Sequence, residues 1–153
     1  MPFEKTFIPY GLYWSTPFCR WQGAPANAHS LELAAQVAGE VLAAKKVDAT
    51  AFDSVMLGMT VIQRSSFYGA PWLAALIGAS HATGPTFAQA CATSARALQM
   101  AAAEVAQGSA GCALIVCADR MSNGPVVYYP DASAPGGRGI TESWTLDNFG
   151  HDP

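Results

Sequence analysis

Cys91 stands in a run of small residues, Ala90-Cys91-Ala92-Thr93-Ser94-Ala95, between an apolar segment and an Ala-rich periodic stretch. Read as a strand giving way to a helix, this puts a thiol where open parallel sheets gather reactive groups, at the carboxyl end of a strand. Peptide dipoles and free N–H groups at a helix start favour the thiolate, the nucleophilic form of cysteine. The small neighbours let an acyl substrate approach without displacing bulk. The competing reading is a structural cysteine that packs as a small hydrophobe. A thiol nucleophile needs a base within hydrogen-bond reach. His29, His81 and His151 are the histidines available, but spacing sets none of them beside Cys91, and each reads first as an ordinary solvated or capping residue.

The remaining cysteines, Cys19, Cys112 and Cys117, form neither a C-x-x-C pair nor the dense pattern of a disulfide scaffold. Five residues apart in one strand, Cys112 and Cys117 face opposite sides of the sheet and read as core filling, not as a shared metal site. Glycine-rich phosphate loops are absent from the sequence, as is a G-x-S-x-G elbow. No metal or resident cofactor is therefore expected.

The elements that must position Cys91 come from a chain of 153 residues, long enough for one domain or part of a larger protein. With 51% hydrophobic and only 12% charged residues it is no disordered tail, and the low charge implies surface that expects to be covered. Eight Lys and Arg against eleven Asp and Glu give a formal charge of -3, which offers no basic field for nucleic acid. No uninterrupted apolar run approaches the roughly 18 residues of a membrane span. The first residues, Met1-Pro2-Phe3-Glu4-Lys5, lack the features of a secretory signal, so the expected address is cytoplasmic.

Phe7 to Trp14 reads as a first strand, weakened by Pro9 and Gly11, and Cys19 to Asn27 as a loop. From Ser30, Leu31, Ala34, Ala35, Ala38, Val41 and Leu42 recur at helical spacing, with Asn27 or Ser30 as cap and Lys45-Lys46 closing the end. Ser54 to Ile62 is a nearly continuous apolar run, the mark of a strand buried on both faces. Pro71 opens a second helix, and Gly78 and Gly84 punctuate its exit. Pro85 to Ala90 is a short strand. Ser94 to Gln107 is a helix with Ala95, Leu98, Ala102 and Val105 on one side and Gly108 as its stop. Cys112 to Ala118 is again a fully buried strand. This alternation predicts an α/β fold with a mostly parallel sheet and helices on both faces. From Asp119 onward, Gly and Pro crowd the chain (Gly124, Pro125, Pro130, Pro135, Gly136, Gly137, Gly139) and no period survives, so a long irregular segment is expected through His151-Asp152-Pro153.

Taken in order, Thr16-Pro17-Phe18, the Ala-rich helix, Val55-Met56-Leu57-Gly58, Gly69-Ala70-Pro71, Cys91 between strand and helix, and Arg120-Met121-Ser122-Asn123 resemble the N-terminal part of a thiolase over most of positions 7 to 125. The resemblance implies a thiolase-like core over residues 1–123, followed over 124–153 by the beginning of the loop domain that covers coenzyme A in that family. It implies acyl-CoA thioesters as substrates and Cys91 as the nucleophile that takes the acyl group. Carbon–carbon bond formation with a second acyl-CoA, or the reverse cleavage, would complete the reaction. It further implies a homodimer or homotetramer, with the strand before Cys91 at the dimer contact.

Two departures stand out. After its nucleophile the family commonly has Gly-Ser-Gly or Ala-Ser-Gly, where this chain has Ala92-Thr93-Ser94. The Asn-Glu-Ala-Phe, Gly-His-Pro and Cys-x-Gly elements of the family's second half do not occur in these 153 residues. The histidine that activates the nucleophile and the second acid–base cysteine would have to come from a second half or partner, and little turnover is expected from this chain alone. Three other readings stand beside this one. They are a ketoacyl-synthase-type condensing enzyme, against which Met121-Ser122-Asn123 argues, a thiolase-like structural subunit with a vestigial cysteine, and a generic flavodoxin-like domain.

Overall fold

A computed structural model describes residues 3–134 and 136–149. Its centre is a three-stranded parallel sheet in the order β2-β1-β3, with β1 at Ser54–Gly58, β2 at Thr86–Phe87 and β3 at Ala113–Cys117. All five residues of β1 are buried, as a central strand covered on both faces requires. The register pairs Leu57 with Thr86 on one side and with Val116 on the other, which brings the carboxyl ends of the three strands level. Helices α1 (Ser30–Lys45) and α2 (Ala70–Leu76) cover one face. There Leu31, Ala35, Leu42, Leu73 and Ala74 pack with Val55, Leu57, Leu114 and Val116. Helix α3 (Thr93–Gln107) covers the other face. The expected α/β class with helices on both faces is the class observed.

Helix α1 buries Leu31, Ala35, Ala38 and Leu42, four of the six periodic positions read from the sequence, and leaves Ala34 and Val41 half-buried. Its cap differs from expectation. His29 occupies the N-cap without a side-chain cap bond, and the chain closes behind Lys45 through Lys46 in the left-handed region. The Asn27 side chain is engaged elsewhere, accepting from Asn123 Nδ2 at 3.2 Å. Pro71 lies in the first turn of α2, and its neighbour Ala70 donates its otherwise unmatched backbone N–H to Thr86 Oγ1 at 2.6 Å. Thr86 thus ties the start of α2 to β2.

Several expectations need correction. Phe7 to Trp14 is not a strand: Leu12 N donates to Pro9 O at 3.1 Å and Gly11 has φ +78°, so the run folds into a turn. Phe7, Ile8, Tyr10 and Tyr13 are exposed, and Trp14 alone of the run packs against the core. The second strand stops at Gly58, not Ile62, because the N–H groups of Thr60 and Val61 go to the Asp119 carboxylate instead of a neighbouring strand. The third shrinks to Thr86–Phe87. Helix α3 turns Thr93, Ala97 and Ala101 inward and leaves Leu98 46% exposed. These small residues at successive i+4 steps bring its backbone closer to the sheet than a Leu stripe would. Strand β3 is a half-buried edge strand, with only Leu114 and Val116 buried. Cys112 and Cys117 are exposed, as are Cys19 and Cys91, so neither fills the core.

The segment after Asn123 is not irregular. Val126–Pro130 (β4) and Gly139–Ser143 (β5) form an antiparallel hairpin, from Val126 opposite Ser143 to Pro130 opposite Gly139, and Trp144–Phe149 form α4. The β-branched and aromatic run Val126-Val127-Tyr128-Tyr129 supplies the strand propensity that the flanking Gly and Pro residues obscured. Pro135 and His151-Asp152-Pro153 lie outside the described residues. Among the described residues no helix is long and apolar enough to cross a membrane.

Thr86→Val keeps shape but leaves Ala70 N without its acceptor. It is expected to lower stability by about 1–2 kcal/mol, read as a lower urea midpoint at unchanged slope.

Candidate active site

At the level carboxyl ends of the sheet, the chain that leaves β2 enters the turn holding Cys91. After Phe87 the chain leaves the sheet, and Ala90–Ala92 form a single 3-10 turn that runs directly into α3. The expected strand through Ala90 cannot form because Ala90 sits at φ +45°, a left-handed conformation that an L side chain resists. Cys91 is the middle residue of that turn, and its side chain is exposed.

Thr93, which the sequence reading counted only as a small neighbour, holds the turn together. Its buried hydroxyl accepts from Gln89 N at 2.8 Å and donates to Ala90 O at 2.7 Å. The signal was present, since a threonine in the first turn of a helix often bonds backward to the chain that enters it. Gly58, at the end of β1, lies beneath. A Cβ there would come within 2.6 Å of Thr93 Cγ2 and 2.7 Å of Cys117 Sγ.

Neighbouring loops are fixed by one carboxylate and one motif. Asp119 accepts from Thr60 N and Val61 N at 2.8 Å and from Thr60 Oγ1 at 2.5 Å, and Trp144 Nε1 donates to Thr60 O at 3.0 Å. Arg120, Ser122 and Asn123 hold the chain that enters α1. Arg120 Nη1 donates to Ala28 O at 2.9 Å, Ser122 Oγ accepts from Gln22 N at 2.8 Å, and Asn123 Nδ2 donates to Ala26 O at 3.0 Å. Thr16, Pro17 and Phe18 are exposed.

Neither described histidine hydrogen-bonds to Cys91. His29 Nε2 lies 2.7 Å from Arg64 O and its ring meets Trp72 edge-on, while His81 is exposed. Among the described residues no three His, Cys, Asp or Glu side chains gather into a metal site. A shallow concavity of about 370 Å³ runs along α1 and Leu76, lined by Glu32, Gln36 and Glu40, and Cys91 is not among its lining residues.

Residues 14–143 match the family described as "Thiolase, N-terminal domain". The chain belongs to the thiolase family. A search of curated protein sequences gives no match. Among solved structures, this thiolase-family chain is similar to the acetyl-CoA acetyltransferase of Syntrophomonas wolfei, with TM-score 0.75 and 21% identity over 87% of this chain and 34% of that one. It is similar also to the Bacillus anthracis acetyl-CoA acetyltransferase, with TM-score 0.65 and 23% identity over 83% and 33% of the two chains. Human mitochondrial 3-ketoacyl-CoA thiolase, solved in complex with CoA, gives TM-score 0.67 and 19% identity over 86% and 34%. At these identities the likeness is one of fold. The chain spans about a third of the length of each of these structures.

Two other thiols of this thiolase-family chain are shifted toward the protonated form. Partial burial pushes the Cys117 thiol up, the Gly58 backbone hydrogen bond opposes this, and the Asp119 carboxylate adds to it. Cys117 is exposed overall as the last residue of an edge strand, yet its Sγ turns in against Gly58. At Cys112, exposed as a residue but with its thiol partly shielded from water, that partial burial and then Asp53 push the thiol up. A raised thiol pKa keeps the reactive thiolate scarce until the pH passes above the ordinary thiol range. Iodoacetamide labelling followed peptide by peptide between pH 7 and 10 should therefore show Cys112 and Cys117 gaining their rate at higher pH than a thiol in a short peptide. Profiles that coincide with the peptide's would contradict this reading.

Proposed function

We propose that this chain is the nucleophile-bearing N-terminal part of a thiolase-type acyltransferase, and that Cys91 accepts the acyl group from an acyl-CoA thioester. The observation that supports the reading most directly is an exposed cysteine at a left-handed turn ahead of a 15-residue helix, at the carboxyl ends of the sheet, in a chain of this family. Cys91 Sγ bonds to the acyl carbonyl carbon as the carbonyl–sulfur bond to coenzyme A breaks. The thiol proton ends on the departing coenzyme A sulfur. One thioester is exchanged for another, so the step needs no metal or redox partner, and coenzyme A enters as substrate, not as a resident cofactor. The side chains Ala90, Ala92 and Ser94 leave the approach to Cys91 open.

Condensation or thiolysis after this step requires a base and a proton donor that the resemblance assigns to the family's second half. We assign that role to residues beyond this chain's matched region or to a partner. Exposed Phe7, Tyr10, Phe18, Phe67 and Tyr68 then become surface that a second half or second subunit covers.

Incubated with acetyl-CoA near pH 9, where ordinary thiols are largely ionised, the protein is expected to acquire an acetyl group on the peptide bearing Cys91 before the one bearing Cys19. Cys91→Ala should lose that adduct and keep its circular dichroism, because replacing one small side chain with another there opens little space. Undiminished acetylation of Cys91→Ala, or equal labelling of Cys19 and Cys91 in the parent protein, would overturn the assignment. An unmodified Cys91 would leave a structural subunit as the better reading.

A further inference from the structure

We infer that Thr93 is a positioning residue for Cys91, and that Gly58 is what allows it to act as one. The inference rests on the function proposed above, but its geometry stands separately. The turn at Ala90 is a strained conformation for any residue with a Cβ, and it persists only where its surroundings hold it. The Thr93 hydroxyl brackets the strained residue, taking the N–H of Gln89, the residue before it, and giving its proton to the carbonyl of Ala90 itself. Thr93 is 6% exposed, so water competes poorly for either bond.

The threonine reaches this position because its methyl rests where residue 58 has no side chain. Any larger residue at 58 would meet both that methyl and Cys117 Sγ, shifting α3 outward or rotating Thr93 off the turn. The end of β1, the Thr93 side chain and the direction in which Cys91 points are therefore mechanically linked. This goes beyond Cys91 itself: Thr93 touches no reacting atom in the proposed step, yet it sets the backbone from which the thiol projects.

The link is testable on the full chain with Cys19 as the internal rate standard and Cys117 as the monitor of fold. Thr93→Val keeps the shape and removes the hydroxyl. Cys91 labelling by acetyl-CoA and by iodoacetamide should fall roughly tenfold relative to Cys19, the order of effect expected when buried hydrogen bonds holding one conformation are lost. Thr93→Ser, which keeps the hydroxyl, should restore the ratio to within about twofold. Adding Ala90→Gly to Thr93→Val should recover part of the loss, because glycine adopts the left-handed turn unaided.

If Thr93→Val loses its fold, Cys117 will label as fast as Cys19, and Thr93→Ala is then read in its place with the same expected loss. An unchanged ratio in a folded Thr93→Val or Thr93→Ala, or an equal loss in Thr93→Ser, would overturn the inference. Failure of the parent protein to take an acetyl group from acetyl-CoA would sink the proposed function instead, while iodoacetamide would still report whether Thr93 governs Cys91.

Discussion

Hydrogen bonding to β1 from both of its edges is the constraint from which the remaining architecture follows. Five consecutive buried residues cannot leave their backbone groups unmatched, so a strand must lie on either side, here β2 and β3 in parallel, and helices must cover both faces. The rungs at Leu57 and Gly58 then decide where the chain may leave the sheet on each strand. The loops after Gly58, Phe87 and Cys117 emerge at one level, and the cysteine turn is assembled there from pieces distant in sequence.

Two carboxylates close the sheet at opposite ends. At the amino end, Asp53 Oδ2 accepts from Gly111 N at 2.8 Å and Cys112 N at 3.1 Å, holding the chain as it enters β3 beside the start of β1. At the carboxyl end Asp119 does the reverse, leaving β3 and collecting the amides that follow β1. Each takes up N–H groups that the ladder itself cannot satisfy where strands part. The same accounting explains why the apolar run after Gly58 is not a longer strand: its donors already have an acceptor.

Much of this was legible in the chain. The burial of α1, the continuous apolarity of β1, Pro71 at the start of α2 and Gly108 at the end of α3 all follow from local chemistry. Cys91 stands out as a candidate because a thiol among small residues at a strand-to-helix junction is an unusual combination. What escaped was set by contacts remote in sequence. The strand-like composition of Phe7 to Trp14 says nothing of whether a partner strand is present, and the hairpin of β4 and β5 was hidden by the turn residues around it. Rotation of α3 toward Thr93, Ala97 and Ala101 depends on the bare backbone at Gly58, thirty-five positions earlier. Arg120, Ser122 and Asn123 were read as a family signature, and their observed work is to fasten the chain ahead of α1.

The outer margin of β3 carries a different implication. Ala-Leu-Ile-Val-Cys offers five residues of ladder on its free side and contains no proline or charged side chain, the devices by which edge strands ordinarily discourage further pairing. β2, at the opposite margin, offers two. The sheet is thus lopsided in its capacity to be extended, with the long, unguarded margin on the β3 side and the short one on the β2 side.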